Sequence, residues 1–338
     1  MSATETLWDH RLKLIGAALL IAAIVAPLVT TGYYVQVLLR LALFLGLVAS
    51  WNFIGYTGYI NFGQVAFYGV GAYLMGISAS LLGIPFWPSV IIGGIAAAML
   101  AGILGAITLK LSGHYFSIAS LLLLIIVDVI FTNLSDLRPI LGISGLREEV
   151  IPPAPTIFPG MDVTVSFYYL LLGLAVAHVL FSIWLERSRF GYGMKAIAQD
   201  EAVAEGLGVP TLRLKLLAIV LSGLGAGLVG AVYGAYTGYI DTQSFFGLTL
   251  TFLIVFVGMI GSLGRWYGPV VGVLLFIPAD EILSSAVSPE LGRIVFGALF
   301  IVIMLQLPRG LGYSIMQRLR GEEPVPTPGE GESGEVAT

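Results

Sequence analysis

Apolar runs of membrane-crossing length, following one another with little between them, constrain this chain more than any other feature. Read between charges and Gly/Pro punctuation, they give ten candidate helices, at residues 13–30, 35–54, 62–83, 89–110, 115–133, 167–185, 215–238, 246–262, 267–285 and 292–308. An α-helix needs about 20 predominantly apolar residues to cross roughly 30 Å of hydrocarbon. A soluble globule could not hide this much apolar surface: only 11% of the 338 residues are charged, against about 25% in soluble domains. The expected fold is all-α, a polytopic transmembrane helical bundle of about ten spans, in one domain over residues 1–320. The first run follows Arg11 and Lys13 as a signal peptide's would. It is long for such a segment, and Ala26-Pro27-Leu28 is no A-x-A cleavage site, so it reads as a retained helix.

An even number of spans puts both termini on one side, and basic residues tell which. With the ends cytoplasmic, the inner loops and flanks carry Arg11, Lys13, Lys110, Arg187, Arg189, Lys195, Arg213, Lys215, Arg265, Arg309, Arg318 and Arg320. Only Arg40, Arg138, Arg147 and Arg293 fall outside, a strong positive-inside bias. Two hydrophilic insertions interrupt the spans. Residues 134–166 form the external loop, where Pro152, Pro153, Pro155 and Pro159 forbid a long helix. Residues 186–214 form the cytoplasmic loop. Residues 321–338 make an acidic, Pro/Gly-rich tail whose composition cannot bury a core.

Several chemistries are excluded. With no cysteine there is no disulfide, thiolate zinc site or iron–sulfur cluster. His10, His114 and His178 have no metal-ligand spacing. The net charge of −4 comes from the tail acids Glu322, Glu323, Glu330, Glu332 and Glu335, and nothing points to nucleic acid. Ionisable residues inside the spans are Asp128, His178, Asp280 and Glu281, and Arg40 is placed to pair with one of the last two. No central row of acids suggests a proton or sodium relay, which argues against an ion-coupled carrier.

Four segments carry more information. Trp51–Tyr73 reads WNFIGYTGYINFGQVAFYGVGAY, with glycines at 55, 58, 63, 69 and 71 among aromatic residues. It is either a broken, re-entrant segment beside a translocation path or a tight turn before a closely packed helix. The run at 215–238 carries Gly223, Gly227, Gly230, Gly234 and Gly238 on one face, a stripe suited to close helix approach. Tyr-Thr-Gly-Tyr-Ile occurs at 56–60 and again at 236–240, at opposite faces of the bilayer. That is the mark of an inverted repeat, or a chance recurrence. In the cytoplasmic loop, residues 194–206 form an amphipathic helix stopped by Gly206, Gly208 and Pro210, with Asp200, Glu201 and Glu205 on a shared polar side. Such a helix either docks in a groove on another protein or connects two spans along the membrane surface.

In four ordered blocks the chain resembles the integral-membrane permease of high-affinity branched-chain amino acid ABC importers, the larger of the two paired types. The blocks are Gly55-Tyr56-Thr57-Gly58 with Phe62-Gly63-Gln64, Ala66-Phe67 and Gly69-Val70-Gly71-Ala72-Tyr73; then Gly113-His114-Tyr115-Phe116. They continue with Arg187, Arg189, Gly191, Ala196-Ile197, Asp200-Glu201, Ala204, Gly208 and Lys215; then Gly258, Gly261-Ser262-Leu263-Gly264, Gly268-Pro269 and the closing Leu307-Pro308-Arg309-Gly310-Leu311. The sequence departs from the family pattern in the apolar stretch 121–127 and in the shortened Leu141–Leu146 segment.

The resemblance implies a transport subunit and not an enzyme. With no Gly-x-x-x-x-Gly-Lys-Ser/Thr pattern in the chain, ATP and Mg would be used by two partner ATP-binding subunits, and this chain would bind no cofactor. It further implies a second homologous permease subunit, an external solute-binding protein and a place in a prokaryotic cytoplasmic membrane. By the same resemblance Arg189, Gly191, Asp200, Glu201, Ala204 and Gly208 couple to the ATPases. Gly55, Tyr56, Gly58, Phe62, Gly63, Phe67, Gly71, Gly258, Gly261 and Gly264 are the candidate substrate path. Urea or other small amides are the alternative cargo. An ion-coupled secondary transporter and a passive channel are the rival mechanisms.

Overall fold

The computed structural model describes residues 3–30, 32–111, 113–134, 160–286 and 311–314, with side chains over 16–30, 32–111, 113–133, 160–283 and 311–314. The described residues are helical with no strand. The long helices are α1 (Ala3–Val29), α2 (Tyr33–Gly55), α3 (Gln64–Ser80), α4 (Phe86–Thr108), α5 (Gly113–Leu134) and α6 (Val163–Arg187). Two short helices follow, α7 (Arg189–Gln199) and α8 (Glu201–Gly206). The chain continues with α9 (Thr211–Thr237), α10 (Thr242–Phe245), α11 (Leu248–Gly261) and α12 (Gly268–Ala286). Each expected run up to 267–285 meets one of these helices. The run at 292–308, the tail 321–338 and most of the external loop lie outside the described residues. By length and composition, six described stretches can cross a membrane: 33–55, 86–108, 113–133, 163–187, 211–237 and 242–261.

Hydrogen bonds and contacts give the helix directions. Going from Tyr59 to Ser50 to Gly46, α2 and its exit meet Lys215, Gly225 and Val229 in turn, so α2 and α9 are antiparallel. His178 reaches the Gly46 carbonyl and Ser182 receives the Tyr56 hydroxyl, so α6 runs parallel to α2. Asn52 bonds the Arg265 carbonyl while Arg40 pairs with Asp280 and Glu281, so α12 is antiparallel to α2. One end of the bundle therefore gathers Lys110, Arg187, Arg189, Lys195, Arg213, Lys215 and Arg265, and is called the basic end below. At the opposite end Arg40 donates to Asp280 at 2.7 Å and to Glu281 at 2.8 Å, uniting both acids with the cation expected beside them.

The core is a seam in which α9 packs against α3 and α4. Here the stripe on α9 has its physical use. A Cβ on Gly227 would overlap Ala97, one on Gly230 the Tyr68 carbonyl, and one on Gly71 the Gly227 carbonyl. Backbones touch because no side chain intervenes, which supplies dispersion contact where apolar solvent offers no hydrophobic drive. Away from the seam, α4 and α5 present Ile91, Ile95, Met99, Ile103, Ile118, Leu122 and Ile126 outward, the apolar surface a helix in lipid needs.

The helix expected at 194–206 is two helices. Asp200 stands between them in extended conformation (φ −157°, ψ 112°), and its carboxylate accepts from the Val203 amide at 3.0 Å, capping α8. A capping acid gains more from orphan amides at a new helix start than from continuing the old helix. The shared polar side also divides: Asp200 and Glu205 face outward while Glu201 turns into the protein. At the far end, bonds from the Gly208 amide to the Glu205 carbonyl and from the Val209 amide to the Ala204 carbonyl close α8, with Gly208 at φ +86°. This is the Schellman stop that glycine permits.

Candidate functional site

Between α2 and α3 the chain leaves helical conformation at 56–63 and doubles back along α2 before α3 begins. Gln64, the first residue of α3, lies level with Ser50 and Ser222: it donates to Ser50 Oγ at 3.2 Å and to the Ser222 carbonyl at 3.3 Å, and accepts from Ser222 Oγ at 2.8 Å. Ser222 stands eleven residues into α9, about 16 Å along its axis. The break thus reaches well into the bundle, where each unpaired backbone group would cost several kcal/mol.

Side chains replace the missing helix ladder. Ser117 Oγ donates to the Ile60 carbonyl at 2.9 Å, and the Phe62 amide donates to Ser120 Oγ at 3.0 Å. Trp51 Nε1 donates to the Asn61 carbonyl at 2.8 Å, and Asn61 Oδ1 accepts from the Gly63 amide at 2.8 Å. A small void bounded by Asn61, Gly63, Phe116 and Ser120 adjoins the break. Of the two readings left open for this segment, the geometry has the re-entrant backbone of the first and the close packing of the second.

A second break separates α11 from α12. Ser262 takes φ 106° and Gly264 φ +68°, the former a conformation that L-residues rarely adopt. Asn52 holds this turn at its middle, accepting from the Gly264 amide and donating to the Arg265 carbonyl, each at 2.8 Å. Adjacent residues of α2, Trp51 and Asn52, therefore secure two breaks far apart in sequence.

The candidate path residues divide by place. Gly55 and Gly264 touch, Gly258 lies against the Trp51 ring, and Gly261 packs on the Gly268 carbonyl, all around the second break. Tyr56, Gly58, Phe62 and Gly63 line the first break, with Phe62 edge-on to Phe252 at 6.0 Å. Phe67 and Gly71 lie further along α3, buried against α9. The first copy of Tyr-Thr-Gly-Tyr-Ile follows the end of α2 and the second straddles the end of α9, and their glycines, Gly58 (φ +78°) and Gly238 (φ +64°), share a left-handed turn. The second copy leads into α10, which folds back so that Phe245 stacks on Tyr68 at 5.3 Å and Phe246 on Tyr73 at 5.6 Å.

At the basic end, α7 and α8 lie against the first break, and Glu186 of α6 joins α7 to the second. Ser188 Oγ caps α7 through the Gly191 amide, and Gly191 fits against the Leu185 carbonyl. Gly58 meets Ala198 closely. Glu186 accepts from Lys195 at 2.8 Å and from the Trp266 amide at 3.2 Å, with Arg265 at 3.7 Å. Burial, with the nearby Glu186 carboxylate, pushes the Tyr56 phenol well up. Of the six candidate coupling residues, Arg189, Asp200 and Gly208 are exposed, whereas Gly191, Glu201 and Ala204 are turned to the bundle. The outward face also carries Phe190, Tyr192, Val203 and Leu207, which sequence reasoning did not single out.

Glu201 reaches inward to Lys215 Nζ (2.5 Å) and accepts from the Tyr59 hydroxyl (2.6 Å). Partial burial pushes its carboxyl up, but the bonds from Lys215 and Tyr59 and the Lys215 charge outweigh it and hold the group below its ordinary value. Burial, together with the bond to Glu201, raises the Tyr59 phenol. A depressed carboxylate stabilises the fold above its unfolded value and loses that contribution as pH falls through the folded one. The melting-temperature gap between wild type and Glu201→Gln should therefore stay constant from about pH 8 to about pH 5 and narrow on further acidification. Thermal denaturation in detergent over that range checks it.

A bundle helical throughout its described residues, with apolar spans, side-chain-satisfied helix breaks and a polar helical loop at one end, is the build of a multi-pass membrane protein. Residues 33–304 match the family described as branched-chain amino acid transport system / permease component, and the chain belongs to it. The family is a transport component and not an enzyme. The high-affinity branched-chain amino acid transport system permease protein LivM of Escherichia coli (strain K12) is 26% identical over 324 residues, covering 88% of this chain and 74% of that one. The corresponding LivH protein of Salmonella typhimurium is 27% identical over 136 residues, 40% of this chain and 44% of its own. BraD of Pseudomonas aeruginosa is 23% identical over 278 residues, 76% of this chain and 89% of its own. No solved structure matches.

Proposed function

We propose that this chain is the membrane-spanning permease subunit of an ATP-driven ABC importer in a prokaryotic cytoplasmic membrane, carrying branched-chain amino acids delivered by an external binding protein. The observation that carries the reading is the α7–α8 pair: a capped helical element at the basic end, bonded to the first break through Glu201 and tied to the second through Glu186 of α6, with Val203 and Leu207 exposed beside Asp200 and Glu205. The basic end is the cytoplasmic one by the positive-inside rule, and both termini lie there in a ten-span arrangement. Two ATP-binding subunits using ATP and Mg dock on α7–α8, one on this chain and one on a homologous second permease. Their closure moves the pair, and the path between the breaks alternates in access. The cargo assignment rests on the names of the relatives.

An inverted repeat belongs to the same reading. Helices α2, α3 and α4 correspond to α9, α11 and α12, each set opening with a helix whose end meets Tyr-Thr-Gly-Tyr-Ile. The packing of α3 and α4 on α9 has its counterpart in that of α11 and α12 on α2.

Leu207 is 80% exposed, so replacing it with arginine should leave the fold intact while spoiling the docking face. In a complex co-expressed with its ATP-binding and second permease subunits, Leu207→Arg should cut retention of the ATP-binding subunits at least about tenfold, a loss of roughly 1.4 kcal/mol of docking free energy. Leucine uptake should fall with it. Unaltered co-purification and uptake would sink the docking assignment. Uptake by the purified chain alone under an ion gradient would sink the importer reading.

A further inference from the structure

Lys215 sits at the start of the second turn of α9, near the end where solvent is at hand, yet it is almost wholly buried, its side chain 4% exposed. Long amines at such places ordinarily extend their charge to water. This one turns inward and spends its three donors on three different pieces of the protein. They go to Glu201 Oε1 at the start of α8 (2.5 Å), to the Tyr59 hydroxyl at the mouth of the first break (3.2 Å), and to the Leu109 carbonyl at the end of α4 (3.1 Å). Its ammonium also stands 4.8 Å from the Tyr59 ring centroid. Glu201 closes the triangle by accepting from Tyr59.

A buried charge is expensive unless every bond is kept, so such a cluster resists being pulled apart and moves as one piece. Its members belong to parts with different tasks. α8 faces outward with Val203 and Leu207, whereas Tyr59 begins the non-helical stretch that Ser117 and Ser120 support from α5.

We propose that Tyr59, Glu201 and Lys215 are positioning residues for transport, a latch that transmits displacement of α8 to the 59–63 break. The inference rests on the reading of α7–α8 as the ATPase-docking element. None of the three touches substrate or nucleotide. An α8 that moves while these bonds hold carries Tyr59 with it, and through Tyr59 the carbonyl of Ile60 and the amide of Phe62. An α8 released from them moves without shifting the break.

Two readouts test this with Tyr59→Phe, Glu201→Gln and the double variant; neither change removes bulk. In the full transporter reconstituted in proteoliposomes, leucine taken up per ATP hydrolysed should drop about fivefold in each single variant, with ATP-binding subunits still co-purifying. The double variant should be no worse than the weaker single, as members of one unit behave. In the full-length chain alone in nanodiscs, amide exchange across 60–63 should speed up about tenfold in both singles. Wild-type coupling in the singles overturns the inference even where exchange is faster, since that marks a merely structural role. Losses that multiply in the double variant overturn it too. A wild-type complex with no ATP-dependent uptake counts against the importer reading. The exchange experiment then decides the latch: faster exchange supports the join between α8 and the break, and unchanged exchange overturns it.

Discussion

Gly71→Val should leave little folded protein to purify. A Cβ at Gly71 would overlap the carbonyl and the Cα of Gly227, and backbone cannot swing aside as a flexible side chain can. Separating α3 from α9 would also disturb Gly93, which rests on the Gly71 carbonyl. Overpacking a well-fitted core costs typically about 1–3 kcal/mol. With backbone on the far side and three helices meeting, about 3 kcal/mol or more is expected here. Gly173→Val is the matched control, since nothing lies within 4 Å of its added Cβ; it should behave as wild type. Detergent-solubilised yield and melting temperature of the two variants check the contrast. A Gly71→Val protein as stable as the control would mean that the seam is not close-packed.

Trp51→Ala should be the most damaging truncation in α2. The Trp51 ring is fully buried, lies on Gly258 of α11 and donates to the Asn61 carbonyl inside the first break. Its removal opens a cavity, for which large-to-small substitution of Trp costs about 3–5 kcal/mol, and leaves a buried carbonyl without its donor, a further ~1–3 kcal/mol. Trp51→Phe keeps most of the volume and loses the donor, so it should recover more than half of the lost stability. Melting temperatures of the purified variants separate the two terms. Equal losses in the alanine and phenylalanine proteins would place the whole effect in the hydrogen bond.

Much of this arrangement is legible in the sequence. Hydropathy marks the long helices because bilayer and core both demand apolar side chains, and glycine spacing marks the α9 stripe because a helix repeats every 3.6 residues. Trp51–Tyr73 stands out for the same reason, as glycines crowd where backbones bend or touch. The partners of the break are hidden. Ser117 and Ser120 fall in an otherwise apolar run and look like tolerated small residues until Ile60 and Phe62 are placed beside them.

Lys215 hides differently. Near the mouth of a span it reads as one more positive-inside charge, and only the fold reveals that it faces inward to Glu201 and Tyr59. The split of 194–206 is missed because alanines favour helix on both sides of Asp200. Capping by one carboxylate, a contribution of about 1 kcal/mol, outweighs the propensity of that one residue.

The seam between α3, α4 and α9 has a bearing on how any cycle of motion can be organised. Side-chain interfaces slide by switching rotamers, trading one staggered well for another with modest barriers. Where Gly71, Gly93 and Gly227 bring backbones into contact there are few rotamers to switch. Sliding there would drive backbone atoms into one another, so register is costly to change. The three helices are therefore expected to move as a block, with bending at the irregular backbone that Trp51, Asn52 and Glu186 hold through single side chains. Spin labels on α4 and α9 would report one fixed separation throughout turnover, while labels across the α11–α12 turn would not.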